Sequence, residues 1–217
     1  MRYIAIEGVT GVGKRRLARL LGRRLNARLL LEEPEENPFL PLFYEAPDQY
    51  GFQTQVFFML SRYRQQQELH QMDLFEDAVV SNFIFEKDRI YANVTLNATE
   101  FALYERLTET LSEKLPRPDL VIYLQTTVNH LMRGIRRHER GYEREITKEY
   151  VAQLLEAYNH FFFHYSITPL LAVNVSEVDF ENRPEHLDDL LAQIKSPPSG
   201  TRYYRPAHME AGKTRRI

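Results

Sequence analysis

Lys14 is the residue whose chemistry is easiest to read. It closes the run Gly8-Val9-Thr10-Gly11-Val12-Gly13-Lys14, which fits the phosphate-loop pattern G-x-x-x-x-G-K followed by Ser or Thr at every position but the last. Glycines let the backbone curl so that successive N–H groups converge on an anion. A helix that opens there adds the positive end of its dipole. Residues Gly8 through Arg15 are therefore expected to cradle phosphates, with Lys14 reaching the β- and γ-phosphates. The last position holds Arg15 where a hydroxyl normally ligates Mg²⁺. A guanidinium has five donors and no lone pair, so no metal ligand is identified.

Other residues carry chemistry by position. Glu33 follows the apolar run Leu29-Leu30-Leu31. A carboxylate beyond the carboxyl end of a buried strand can act as a general base toward a hydroxyl, although the position fits a solvated turn acid equally well. Gln53 and Gln55 lie near the start of a long helix expected over Gln49–Met72, and Arg62 is two turns beyond Gln55. Asn82 is the first residue past the apolar run Ala78-Val79-Val80-Ser81. Arg133, Arg136, Arg137, His138 and Arg140 make one basic segment, which by composition reads as a solvated helix end.

These groups need a frame. Apolar runs at Tyr3–Ile6, Leu29–Leu31, Ala78–Ser81, Asp119–Leu124 and Leu170–Asn174 read as strands. Between them lie helical patterns, including Lys14 onward, Glu100–Leu115, Val128–Arg137, Thr147–His164 and Pro184–Ile194. Such alternation predicts an α/β fold, with a five-stranded parallel sheet and helices on both faces. On the first helix, Arg16, Arg19, Arg23 and Arg24 read as a wet face. On the long helix, Phe52, Val56, Met59, Leu60 and Tyr63 read as inward, and Phe161-Phe162-Phe163 reads as packing. Residues 1–196 make one domain, and 197–217 read as a polar, mobile tail.

Composition excludes other classes. The 217 residues carry a net charge of −2, so no bulk field invites nucleic acid or a membrane. Cysteine is absent, which removes disulfides, thiolate metal sites and a cysteine nucleophile. No apolar run approaches transmembrane length and the chain starts as a strand, so a soluble cytoplasmic protein is expected.

Taken together, the residues resemble the deoxynucleoside kinase family, in the branch with bacterial deoxyadenosine and deoxyguanosine kinases. The resemblance spans Met1 to about Ile194. It rests on Ile6-Glu7-Gly8, Glu32-Glu33-Pro34, Asn37-Pro38-Phe39-Leu40 with Phe43-Tyr44, Gln55 with Arg62, Ser81-Asn82-Phe83 leading to Lys87-Asp88-Arg89, and Tyr142-Glu143. It implies a P-loop NTPase-type three-layer fold with an Arg-rich lid, ATP as phosphoryl donor, a deoxynucleoside as substrate and a homodimer. Glu33 matches the base that takes the 5′-hydroxyl proton. Tyr44 and Glu143 match groups on the 3′-hydroxyl, and Gln55, rather than Gln53, matches the base reader. Arg133, Arg136, Arg137 and Arg140 match the lid over the ATP phosphates, with Lys14 and Arg140 stabilising the transferred group.

Three positions depart from the pattern. Arg15 replaces the metal-binding hydroxyl. Asn82 stands where this branch has an acid, which makes it a degenerate catalytic position. His138-Glu139-Arg140 replaces Arg-Gly-Arg. Mg²⁺ is expected from the family, yet its protein ligands are missing here. Two readings follow: a deoxynucleoside kinase with reduced activity, or a catalytically degenerate binding protein that acts as sensor or subunit.

Overall fold

All five residues of the first strand, β1 (Tyr3–Glu7), are buried, as a strand covered on both faces must be. The computed structural model describes residues 3–71, 78–113, 115–137 and 141–206. After β1 come α1 (Lys14–Leu25), β2 (Arg28–Leu30), α2 (Leu40–Glu45), α3 (Pro47–Gln67), β3 (Val79–Ser81), α4 (Lys87–Thr95) and α5 (Ala98–Ser112). Then follow β4 (Leu120–Gln125), α6 (Val128–Arg137), α7 (Lys148–Phe163), β5 (Leu170–Asn174), α8 (Pro184–Lys195) and β6 (Thr201–Tyr204).

The strands form one sheet in the order β2-β3-β1-β4-β5-β6. Every neighbouring pair is parallel, so all carboxyl ends open on one edge. The chain runs from β1 to the β2–β3 side and then crosses to β4. Crevices at such a reversal are where open α/β sheets take ligands, and β1 with its glycine loop sits there.

The α/β class is as expected, but the sheet has six strands rather than five. The sixth comes from the stretch expected to be a polar tail. β6 pairs with β5 from Leu170↔Thr201 to Val173↔Tyr204. The Tyr204 hydroxyl donates to the Asp189 carboxylate, and the Arg202 guanidinium reaches Gln193 at 3.1 Å and the Ser196 carbonyl at 3.0 Å. A four-residue polar strand at a sheet edge has no apolar alternation to mark it in sequence. Residues 207–217 of the expected tail lie outside the described residues.

α3 divides its faces in an unusual way. Phe52, Val56, Met59 and Tyr63 pack into a satellite cluster with Phe85, Ala92 and Tyr104. Its other buried positions are mostly polar: Thr54, Gln55, Arg62 and Gln66. Leu60, expected inward, is exposed. In α7, Phe162 is core while Phe163 is 74% exposed, so that aromatic run is part packing and part surface.

β6 covers the outer edge of β5, which otherwise presents unpaired N–H and C=O groups. A chain ending at Ser196 is expected to lose about 2 kcal/mol or more, because several ladder hydrogen bonds at about 1 kcal/mol each disappear. It should also self-associate. Chemical denaturation and light scattering check both; an unchanged midpoint in a monodisperse sample would make β6 dispensable.

Candidate active site

The glycine loop between β1 and α1 is built on left-handed turns. Gly11 has φ of 83° and Gly13, the N-cap of α1, has φ of 97°, a region open to glycine at little cost. The first turn of α1 holds no acidic residue, so nothing offsets its dipole there. Lys14 Nζ donates to the Gly8 carbonyl at 2.5 Å, folding the lysine back over its own loop. α6 lies hard against this loop. A Cβ on Gly134 would collide with the Gly11 carbonyl oxygen, and one on Gly11 would come within 2.5 Å of the Leu131 carbonyl. Only a glycine at each position permits that approach.

Loop and helix wall a cleft of about 600 Å³. Thr10 to Arg15 line it, while Gly8 is buried off the lining and Val9 is packed in the core. Arg133 and Arg137, four residues apart on α6, face the cleft; Arg136 is off the lining. Arg140 lies outside the described residues. Arg16, Arg19 and Arg23, expected as a wet face, also line this cleft, and Arg16 is held by Glu181 at 2.9 Å. Among the described residues six arginines and Lys14 face it against two glutamates, Glu32 and Glu181. Such an excess of fixed positive charge suits a polyanion.

A second, narrower cavity of about 80 Å³ adjoins it. Here the structure brings together Tyr44 from α2, Gln55 from α3 and Glu143 from the turn at 141–145. Tyr142 stacks on Tyr44 with ring centres 5.9 Å apart and closes one side. Gln55 is buried, whereas Gln53 is exposed, so the helical phase selects Gln55.

Thr10, Lys14, Glu32 and Pro34 line both cavities. They form the boundary that the two cavities share, the aperture of the site. Of the two adjacent carboxylates, Glu32 lines both cavities, while Glu33, expected as the base, lines neither. Glu33 instead receives the Arg15 guanidinium, and its side chain is 40% exposed. Glu32 accepts from Arg62 at one oxygen and from Lys87 Nζ at 2.7 Å at the other. Arg62 also pairs with Asp88 and lies over the Phe58 ring at 5.0 Å.

These charges shape one another. Burial raises the pKa of Glu32, but Arg62 and Lys87 outweigh it and hold the carboxyl at about 2. It is therefore ionised at neutral pH. Burial, helped by the positive charge of Lys87, lowers Lys14 to about 8. Arg62, Lys87 and Asp88 were visible in the sequence only as parts of a resemblance. A signal existed, since an arginine on the inward face of α3 demands buried carboxylates.

The donors here do not fit a protein-held Mg²⁺. Arg15 offers no lone pair. Asn82 Oδ1 accepts the Glu32 backbone N–H at 2.8 Å, and the Glu32 carboxylate is already shared between two cations. Among the described residues no group of three or more His, Asp or Glu side chains is placed to hold a metal. No helix among them is long and apolar enough to cross a membrane.

Residues 4–197 match the family described as deoxynucleoside kinase. The chain is 32% identical to the deoxyadenosine kinase of Dictyostelium discoideum over 199 residues, covering 87% of this chain and 77% of that protein. It is 31% identical to the deoxyguanosine kinase of Bacillus subtilis over 157 residues, 72% of this chain and 76% of that one. The deoxyadenosine kinase from M. mycoides with bound dCTP has the same fold, with a TM-score of 0.77 at 23% identity, over 89% of this chain and 99% of the other.

The lysine makes a pH prediction. A triphosphate at the loop favours the charged ammonium, so the Lys14 pKa rises from about 8 on binding. Affinity should be flat below pH 8 and weaken as pH rises above it, with net proton uptake near pH 8. Calorimetry in buffers of different ionisation enthalpy measures the uptake; none at that pH would mean Lys14 is already fully charged.

Proposed function

The chain belongs to the deoxynucleoside kinase family, and we propose that it transfers the γ-phosphoryl group of ATP to the 5′-hydroxyl of a deoxynucleoside. The observation that carries this is the aperture. A buried carboxylate and the loop lysine stand between a cation-lined cleft and a pocket of amide, phenol and carboxylate groups. One side suits a triphosphate, the other a small polar ring compound, and the reacting atoms meet between them.

In this reading Glu32 is the base. It accepts the 5′-hydroxyl proton as the oxygen forms its bond to the γ-phosphorus. The bond from that phosphorus to the β–γ bridging oxygen breaks, its electrons stay on the bridging oxygen, and ADP leaves. At a pKa of about 2 the carboxylate is weakly basic but always deprotonated. A triphosphate that draws Lys14 and Lys87 toward itself raises its basicity. Asn82 acts as a positioning residue through its bond to the Glu32 backbone. Lys14, Arg133 and Arg137 offset charge that spreads over the phosphoryl oxygens, and the lid resemblance extends that role to Arg136 and Arg140. Tyr44 and Glu143 hold the 3′-hydroxyl, and Gln55, a planar donor and acceptor, reads the base edge. A cytoplasmic homodimer accompanies this reading, and the exposed Phe163 and Ile167 support an apolar contact surface.

A degenerate, non-catalytic member draws no support from relatives that are deoxyadenosine and deoxyguanosine kinases by name. The lysine and a carboxylate are also both present at the aperture.

Transfer from labelled ATP to the four deoxynucleosides tests the function. Glu32→Gln is expected to lower kcat roughly a hundred- to ten-thousandfold, and Glu33→Gln less than about tenfold. The reverse ranking would return the base to Glu33. Absence of transfer by the unaltered chain would remove the function.

A further inference from the structure

Arg15 sits where a metal-ligating hydroxyl belongs, and its surroundings are cationic as well. Lys14, Arg62 and Lys87 all stand around Glu32. A dication entering this place would meet several fixed positive charges and a carboxylate that is already shared. The electrostatics that a metal ordinarily satisfies are reversed here.

The guanidinium is also held in place. One terminal nitrogen bonds the Glu33 carboxylate and the other the Glu32 carbonyl at 3.3 Å, so Arg15 is fixed in the lining of the cleft, in the first turn of α1. Of its five N–H groups these contacts use two, and Nε is buried with no hydrogen-bond partner among the described residues. The donors left over are those a phosphate accepts two at a time. Its partner Glu33 is 40% exposed and is not among the residues that line either cavity.

Granted the triphosphate site proposed above, we infer that Arg15 takes the place of the divalent cation at the β- and γ-phosphates, and that this chain binds the metal-free triphosphate. The charge that elsewhere arrives with the nucleotide is here part of the protein. Binding should then be indifferent to chelation, and the indifference should reside in one side chain.

Calorimetry of the full chain with ATP, once with Mg²⁺ and once with EDTA, tests this. The expected dissociation constants differ by less than about threefold, well below the tenfold that corresponds to about 1.4 kcal/mol. Arg15→Ser should weaken binding in EDTA by roughly tenfold or more, the range of a charge-assisted hydrogen bond, and regain part of it with Mg²⁺. Arg15→Lys, which keeps the charge and loses the fork, should fall between. Glu33→Gln should keep the indifference to EDTA, because it removes only the tether. If ATP binds with Mg²⁺ and not with EDTA, or if Arg15→Ser binds in EDTA as the unaltered chain does, the inference is overturned while the triphosphate site stands. Loss of ATP binding in both media overturns the site and the inference together.

Discussion

Four buried charges hold the site in shape. Glu32 leaves the end of β2, Arg62 comes from the middle of α3, and Lys87 and Asp88 open α4. Their side chains are 13% exposed or less. Two positive and two negative groups cancel, which alone makes their burial tolerable. Removing one leaves a charge without an answer, at a cost of about 3–5 kcal/mol. A cluster of hydrophobic residues would stabilise this junction at least as well. The charges make sense as a device that fixes an ionised carboxylate at one point and ties three elements to it.

The rest of the site hangs on the sheet. β1 supplies the loop because it lies where the strand order reverses, and its buried Glu7 secures both flanks. One Glu7 oxygen accepts the Gly8 N–H at 3.0 Å and the other the Ile84 N–H at 2.9 Å. The base of the phosphate loop and the segment entering α4 are thereby joined through a single carboxylate. A short strand, a glycine turn and a salt-bridged helix start thus behave as one unit, and the aperture between the two cavities inherits that rigidity.

Much of this was legible in the chain. The loop, the parallel α/β class and the grouping of Tyr44, Gln55 and Glu143 followed from spacing and resemblance, and the structure brings those three side chains to one pocket. What the sequence left out was hidden for local reasons. Glu32 and Glu33 are adjacent beyond the end of β2, so spacing alone does not tell which carboxylate lines the cavities and which meets Arg15. α3 buries a polar stripe beside an apolar one, and hydrophobic periodicity sees only the second. The arginines of α1 are exposed, as their pattern implies, but that Arg16, Arg19 and Arg23 also line the cleft depends on a wall from α6, over a hundred residues later. β6 is short, polar and edge-placed, so its pairing depends on a partner strand rather than on its own composition.

The paired glycines at Gly11 and Gly134 have a mechanical consequence. The backbone of α6 at Gly134 is seated directly on the Gly11 carbonyl, with the Ile135 side chain packed against the same loop glycine. Loop and helix form the fixed jaw of a vice. Any widening of the cleft must come from its opposite wall, or must carry loop and helix together as one lever, so the arginines of α6 keep their aim at the phosphate loop however far the vice opens.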